Sequence, residues 1–168
     1  MSFESVYRVS PRNSVPLDAE VDLLSRELGM ELPIGYREYA TSFGPGTMCT
    51  FLVVYMPSQI AKPDKRDEMH YRDVLAVAAR YASDPGNVAG LDSTDFARAK
   101  VLAYASAERP LWLATPTQGS RLFEHADGDT FEIENGFFGL VERCADGQGH
   151  EFAFFEPNNG RRRIRQLY

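Results

Sequence analysis

The chain has 168 residues, of which 43% are hydrophobic and 12% are aromatic, and its formal net charge is −6 with a sequence pI near 5.1. This size and composition predict one compact domain with a substantial core. The acidic balance argues against a general nucleic-acid binder, because phosphate binding depends on clustered Lys and Arg. No apolar run approaches the ~20 residues of a membrane span, and the start lacks the basic and apolar regions of a signal peptide, so we expect a soluble cytoplasmic protein.

Cysteine usage and motif content give little sign of redox or catalytic chemistry. Cys49 and Cys144 lie far apart in the sequence and form no CxxC motif. They indicate buried reduced thiols more than a disulfide framework, although a disulfide between them stays open. The sequence contains no GxxxxGK[ST], GxGxxG, HExxH or GxSxG pattern, and we predict no catalytic residue, metal or cofactor.

The first predicted element is a helix after Leu17. Asp18 is a candidate N-cap, Val21 and Leu24 share an apolar face with Leu28, and Gly29 is a candidate left-handed C-cap.

A second helix lies within the stretch ELPIGYREYATSFGPG, residues 31–46, which holds a complete set of start, face and stop signals. Pro33 suits a first helical turn, where a backbone N–H has no partner, and Gly44 with Pro45 ends the element. Its apolar face consists of residues at helical spacing: Tyr36, Tyr39, Ala40 and Phe43.

The middle of the chain alternates between strand and helix patterns. Residues 50–56 predict a strand that is covered on one side by helices and shielded on the other, and Pro57 ends it. Residues 65–83 predict a helix with Tyr71, Leu75, Ala78 and Ala82 on one face, stopped by the turn at residues 84–87. Residues 88–100 read as a surface excursion with one helical turn.

The remainder predicts an antiparallel meander. Asp127-Gly128 and residues 146–149 are hairpin turns, and the flanking strands cover residues 101–105, 111–115, 121–125, 130–133, 137–143 and 151–155. With the earlier helices packed on one face of this sheet, the fold class is α+β.

One set of residues resembles a known family. A short amphipathic helix is followed by Leu32, Pro33, Tyr36, Tyr39, Phe43 and Gly44, then a strand, and later by an apolar strand at Trp112 and a turn at Gly128-Asp129. This order resembles the SUKH superfamily, which contains the Smi/Knr-type regulators of yeast cell-wall assembly and many bacterial immunity proteins. The similarity covers residues 17–155, with residues 62–100 as a helical insertion and residues 158–168 as a basic C-terminal tail.

The resemblance implies a SUKH-like α+β domain that binds a protein and is not an enzyme. Many bacterial members inhibit a toxin, often a nuclease, encoded beside them, and others are adaptors or regulators that bind a peptide or a signalling protein. Both functions stay open at this point. The matched residues are expected to define the fold.

The distribution of acidic residues favours the inhibitor function. Residues 124–156 contain nine acidic side chains and one basic side chain, Arg143. A nuclease presents a basic cleft that an acidic surface meets rapidly through electrostatic steering. The candidate partner-binding residues are Glu124, Asp127, Asp129, Glu132 and Glu134, with Phe131, Phe137 and Phe138 as candidate aromatic anchors. The alternative is that these are ordinary solvated faces of hairpins.

Three further clusters have a functional and a structural interpretation. His125, Asp127 and Asp129 offer three ligands to a divalent metal, but a hairpin turn explains the same residues more simply. Cys144 and His150 suggest a nucleophile and a base, with no third group to orient the imidazole. The tail carries Arg161, Arg162, Arg163 and Arg165, which either contact nucleic acid or pair with nearby carboxylates after a turn at Asn159-Gly160 while Ile164 and Leu167 pack.

Overall fold

The structure is a computed structural model that describes residues 7–9, 16–44, 46–48, 52–83, 89–105, 111–146 and 162–165. The described helices are α1 Asp18–Leu28, α2 Tyr36–Phe43, α3 Pro57–Ala61, α4 Lys65–Arg80, α5 Ser93–Arg98 and α6 Gly136–Asp146. The described strands are β1 Tyr7–Val9, β2 Gly46–Met48, β3 Leu52–Val54, β4 Lys100–Ala105, β5 Leu111–Ala114, β6 Leu122–Ala126, β7 Asp129–Ile133 and β8 Arg162–Arg165.

The strands form one eight-stranded sheet in the order β1-β8-β2-β3-β4-β5-β6-β7. From β2 to β7 the strands follow chain order and pair antiparallel, which confirms the predicted meander and the α+β class. β8 lies between β1 and β2, parallel to the former and antiparallel to the latter.

One face of the sheet is covered by α4 and α5. The strand registers place Tyr104, Leu111 and His125 on this face. The ring of Tyr71 in α4 lies 6.4 Å from the ring of Tyr104, and the ring of Phe96 in α5 lies 6.1 Å from the imidazole of His125. The sequence predicts one helix-covered face, and the structure has two, because α6 lies on the other face where a strand was predicted.

The other face is covered by α6 together with α2. Ile133 of β7 lies on this face, and a Cβ placed on Gly139 of α6 would be 3.6 Å from its side chain. The ring of Phe137 in α6 contacts the ring of Tyr36 in α2 at 5.3 Å, and α1 packs against α2 and α3. Because helices lie on both faces, all four residues of β5 and all three of β3 are buried.

The N-cap of α1 differs from the prediction. Leu17, not Asp18, occupies the cap position in an extended conformation, and its backbone N–H donates to Glu20 Oε2 at 2.6 Å. The hydrogen-bond acceptor at this helix start is therefore the side-chain carboxylate of Glu20, the third residue of the helix. Gly29 has φ 61° and closes the helix in the left-handed conformation, as predicted.

The start of α2 also differs from the prediction, while its face and its end are confirmed. Gly35, with φ 81°, is the N-cap, so Pro33 lies in a turn before the helix, where its carbonyl accepts from Tyr36 N at 3.0 Å. This turn contacts the start of α6, where Phe137 N donates to Ile34 O at 2.7 Å. The predicted face is fully buried, since Tyr36, Tyr39, Ala40 and Phe43 each have 0% exposure. The N–H of Gly44 bonds to the last turn and ends the helix.

Residues 137–143 form a helix, so the strand predicted there is wrong. The run FFGLV has the composition of a strand, but Phe137, Leu140 and Val141 recur at helical spacing and are buried on one side of α6. Asn135 and Gly136 have φ 59° and φ 55°, which turns the chain sharply out of β7. The second predicted hairpin therefore has no strand as its first arm, and its turn and its second arm at residues 151–155 lie outside the described residues.

Residues 89–100 are better packed than predicted. They contain α5, which begins at the N-cap Asp92 and buries Phe96, while Leu91 is buried just before it. The expectation of a surface excursion is wrong, because Asp92 and Asp95 satisfy the helix start and let its apolar side face the sheet. Further upstream, Pro57 ends the β3 run as predicted and also opens α3.

Several other predictions fall on parts of the chain that are not described. The turn at residues 84–87, Cys49, His150 and the turn at Asn159-Gly160 lie outside the described residues. The longest described helix, α4, has 16 residues, and within the described ranges no helix combines the length and the apolar content of a membrane span.

Candidate functional site

The β6–β7 hairpin positions the predicted interface residues. Asp127 and Gly128 have φ 52° and φ 93° and form a two-residue turn, which confirms the hairpin predicted at this site. Positive φ at both turn residues suits the twist of the flanking strands. The turn fixes the register from Ala126 opposite Asp129 to Leu122 opposite Ile133, and therefore fixes the face on which each side chain lies.

Most of the predicted acidic residues lie together on the surface of this hairpin. Asp127, Asp129, Glu132 and Glu134 are exposed, and the Phe131 side chain between them is 42% exposed. We call these five residues the acidic edge, since β7 is the last strand in the order of the sheet. The acidic edge thus combines four carboxylates with an accessible aromatic ring on one rigid element.

Glu124 does not belong to this surface, although it was a candidate from the sequence. It is 3% exposed and lies in β6 opposite Trp112 of β5 and Phe131 of β7. The physical reason is its place in an interior strand that has neighbours on both sides and a helical layer on each face.

Two of the three candidate aromatic anchors lie in α6, where one is buried and the other is half-buried. Phe137 has 0% exposure, and its ring packs 5.3 Å from Tyr36 and 5.9 Å from Tyr39. Phe138 is half-buried, and a Cβ placed on Gly35 would lie 3.0 Å from its ring. Of the three candidate aromatic anchors, Phe131 is therefore the one that is exposed.

One carboxylate of the acidic edge is held by a cation. Arg121 Nε donates to Glu132 Oε1 at 2.8 Å and Nη2 donates to Oε2 at 2.5 Å, while the guanidinium carbon lies 4.9 Å from the centre of the Phe123 ring. These hydrogen bonds lower the pKa of Glu132 and raise the pKa of Arg121. The pair orients Glu132 along the strand and partly neutralises the surface there.

His125 faces α5 and is a core residue. It is 8% exposed, its Nδ1 forms a hydrogen bond of 2.9 Å with Thr130 Oγ1, and its ring contacts Phe96. Burial lowers the pKa of His125, and the nearby charge of Asp129 opposes this effect. Asp127 and Asp129 are exposed at the turn instead, and the described residues contain no group of three ligands suited to a metal.

The other catalytic alternative has no described geometry. Cys144 is a residue of α6, and His150 lies outside the described residues. That Cys144 and His150 do not act together as nucleophile and base therefore stays a prediction.

The residues that carry the SUKH resemblance lie mostly in the core. Tyr36 donates its hydroxyl hydrogen to Tyr55 O at 2.8 Å, and its burial raises its pKa. Gly128 lies in the hairpin turn and Asp129 begins β7, exposed. The remaining residues of the set are buried or half-buried: Leu32, Pro33, Tyr39, Phe43, Gly44 and Trp112.

Two buried polar clusters were not foreseen from the sequence. Tyr55 donates to Asp67 Oδ2 at 2.6 Å and its hydroxyl also contacts that of Tyr71, so α4 is tied to the sheet. Burial is the main cause of the raised pKa of both tyrosines.

The second cluster surrounds Asp95, which is 3% exposed. Its carboxylate accepts hydrogen bonds from Asp92 N, Thr115, Thr117 and Gln118, which join α5 to the end of β5. The only available signal was the spacing of Asp92 and Asp95 at a helix start, and it predicts a cap rather than a site.

No family model, curated protein or solved structure matches the chain. The resemblance to the SUKH superfamily therefore depends on the residues described above, and the function has to be argued from the acidic edge.

Proposed function

We propose that the protein is a non-enzymatic binding module whose acidic edge binds a basic protein. In its most specific form, the proposal is a bacterial immunity protein that acts in the cytoplasm and inhibits a cognate toxin, with a nuclease as the favoured class. The observation that carries the proposal is the exposure of Asp127, Asp129, Glu132 and Glu134, together with the ring of Phe131, on one hairpin.

The composition of the acidic edge supports a protein partner. An exposed aromatic ring on a strand that also carries exposed charged residues has the composition of an interface anchor with polar neighbours. The four carboxylates give a local negative potential that accelerates association with a basic surface. A nuclease cleft that binds phosphates through arginines is such a surface, and carboxylates compete for the same donors.

The resemblance to the SUKH superfamily supports the same proposal, since many bacterial members inhibit toxins encoded beside them. The core positions of Tyr36, Tyr39 and Phe43 and the turn at Gly128 suit the fold-defining role that the resemblance implies. They leave the acidic edge, which has a surface position, as the region where a partner would be selected.

A regulatory adaptor is the second candidate, and a different surface favours it. Met69, Val77 and Tyr81 lie on the outer side of α4 and the turn that follows it, and they are 58%, 50% and 60% exposed. At ~100° per residue, the three residues fall within about 120° of one another around the helix axis, which makes one broad stripe. An adaptor that joins two proteins would use this stripe in addition to the acidic edge.

Charge reversal tests the immunity proposal. The variant Asp129→Lys, Glu132→Lys, Glu134→Lys and the unchanged protein are mixed with the protein encoded by the neighbouring gene, and association rates are measured over a range of salt concentrations. We expect association to slow by about tenfold or more at low salt, and its salt dependence to weaken, because steering by the acidic edge is lost.

A matched control changes the net charge equally at another place. Glu27, Glu31 and Glu38 are exposed residues outside the hairpin, and their replacement by Lys alters the total charge by the same amount. If both triple variants slow association equally, the effect comes from net charge and the acidic edge is not the interface. If the neighbouring product does not bind at all, the adaptor becomes the favoured function.

A further inference from the structure

The alternation of side chains along β7 divides the acidic edge between the two faces of the sheet. The register with β6 is continuous through the whole of β7, so alternate residues share a face. Ile133 lies on the face covered by α6, since its side chain is 3.6 Å from a Cβ placed on Gly139. Asp129 and Phe131 therefore share the α6 face, and Glu132 lies on the α5 face.

On the α5 face, the protein already holds one arginine between a carboxylate and an aromatic ring. Phe123 and Glu132 are directly opposite each other in the hairpin. Arg121 donates two hydrogen bonds to Glu132, and its guanidinium carbon lies 4.9 Å from the centre of the Phe123 ring. The planar guanidinium suits this arrangement, because it donates to a carboxylate in its plane and presents its face to a ring. The carboxylate of Glu132 is therefore engaged within the chain.

On the α6 face, Asp129 and Phe131 present the same two chemical groups to solvent. Both residues are exposed, Phe131 to 42%. They are two positions apart on one strand, so their Cα atoms are separated by roughly 7 Å, a spacing that an arginine side chain can bridge. Among the described residues, Asp129 forms no ion pair, in contrast to Glu132.

We propose that Asp129 and Phe131 bind an arginine side chain of the basic partner, with its guanidinium stacked on the ring and hydrogen-bonded to the carboxylate. This inference rests on the proposed function, because it names the group by which the acidic edge recognises its partner. Arginine is favoured over lysine, since the lysine ammonium is a strongly hydrated point charge without a flat face to stack.

Charge complementarity favours a basic partner over a second copy of this chain at this site. Each copy has a net charge of −6, so two copies repel each other, and Asp129 would gain no counter-charge from the acidic edge of another copy. A partner segment that carries arginine supplies both the counter-charge and the planar group.

Two capped synthetic peptides of equal length and charge test the preference for arginine. One alternates arginine with glycine and the other alternates lysine with glycine, and each is titrated into the full chain at low salt while NMR spectra are recorded. We expect the arginine peptide to bind about threefold more tightly, the effect of one guanidinium stacked at an exposed site. The largest shifts should be at the ring protons of Phe131 and the amide of Asp129.

Substitutions at the two residues separate the ring from the charge. Phe131→Leu keeps the charge and removes the ring, so it should bind the two peptides with equal affinity. Asp129→Asn should bind the arginine peptide about threefold more weakly than the unchanged protein, as expected for one exposed ion pair. Glu31→Gln is the matched control, because it removes the same charge at an exposed residue outside the hairpin, and its loss of affinity should be smaller.

The outcomes separate this inference from the proposed function. Equal affinity of the unchanged protein for both peptides, a preference for arginine that persists in Phe131→Leu, or equal losses in Asp129→Asn and Glu31→Gln overturns the arginine site. If the neighbouring gene product binds both hairpin variants as tightly as the unchanged protein, the arginine site is overturned and the immunity proposal stands. A preference for arginine that depends on both residues, together with no binding of the neighbouring gene product, supports the site and overturns the toxin as the partner.

Discussion

His125 shows how a polar residue of the hairpin is used inside the fold rather than at its surface. Its imidazole is 8% exposed, bonded to Thr130 and packed against Phe96. Burial disfavours the charged imidazolium, which explains the lowered pKa, and Asp129 at the start of β7 only opposes this effect.

We predict that stability falls as the pH is lowered below about 6.5, the ordinary pKa of histidine. In that range the unfolded chain binds a proton at His125 and the folded chain does not, so each pH unit costs up to about 1.4 kcal/mol until the folded pKa is reached. Denaturant unfolding at a series of pH values measures the slope. His125→Gln should flatten this slope, and an unchanged slope would show that the imidazole is not buried as a neutral group.

The acidic residues show where residue-scale reasoning succeeds and where it stops. Glu132 and Glu124 have the same side chain and both lie in strands of one hairpin, yet one is exposed and the other is 3% exposed. The difference arises because β7 is at the edge of the sheet and β6 is in its interior. Strand order is set by long-range pairing, which local sequence patterns do not contain.

At the scale of elements, the contact between the turn before α2 and the start of α6 joins two parts of the chain about a hundred residues apart. Ile34 O accepts from Phe137 N at 2.7 Å, and a Cβ on Gly136 would lie 2.5 Å from that carbonyl oxygen. Glycine at residue 136 therefore allows both the left-handed backbone and the close approach of the other segment.

We predict that Gly136→Ala lowers the free energy of unfolding by about 3 kcal/mol, from left-handed strain and steric overlap together. Gly29→Ala is the matched control, because Gly29 also has positive φ, 61°, but has open space around its Cβ position. It should lose only about 1 kcal/mol. Denaturant unfolding of both variants gives the comparison, and equal losses would mean that the contact with Ile34 is not a tight one.

The elements themselves were predicted to different degrees. Both helix faces of the first third and the Asp127-Gly128 turn have local signals, and the structure confirms them. The strand predicted at residues 137–143 failed because an apolar run with aromatic residues suits a buried helix as well as a strand, and periodicity over a few residues does not distinguish them. The left-handed pair Asn135 and Gly136 was the overlooked sign of a sharp turn.

At the scale of the whole molecule, the sheet lies between two helical layers. Leu111, Trp112, Leu113 and Ala114 of β5 are all buried, with β4 and β6 on either side. For β3, the apolar composition of the strand predicts that both of its faces are covered. The position of α4 and α5 opposite α6 depends on chain connections that no local pattern specifies. The location of the acidic edge follows from that arrangement.

We predict a gradient of backbone stability across this sheet. Amides of Trp112 and Leu113 should exchange with solvent only through global unfolding, since they lie in the centre of the sheet under both helical layers. Glu132 of β7 is exposed and forms a pair with Phe123 that carries no backbone hydrogen bonds, so its amide should exchange faster than those of Phe131 and Ile133, which bond to β6. Residue-resolved hydrogen exchange measures both sets, and exchange at Glu132 as slow as that at Trp112 would contradict the predicted gradient.

The place of β8 between β1 and β2 has a consequence for how the chain acquires its structure during synthesis. β1 is translated first but pairs, among the described strands, with β8 alone. While the ribosome is still making the chain, β2 to β7 can assemble in order, since each strand from β3 to β7 pairs with the strand made just before it. β1 must wait for residues 162–165, so its attachment comes after the other strands have been made and closes a long loop.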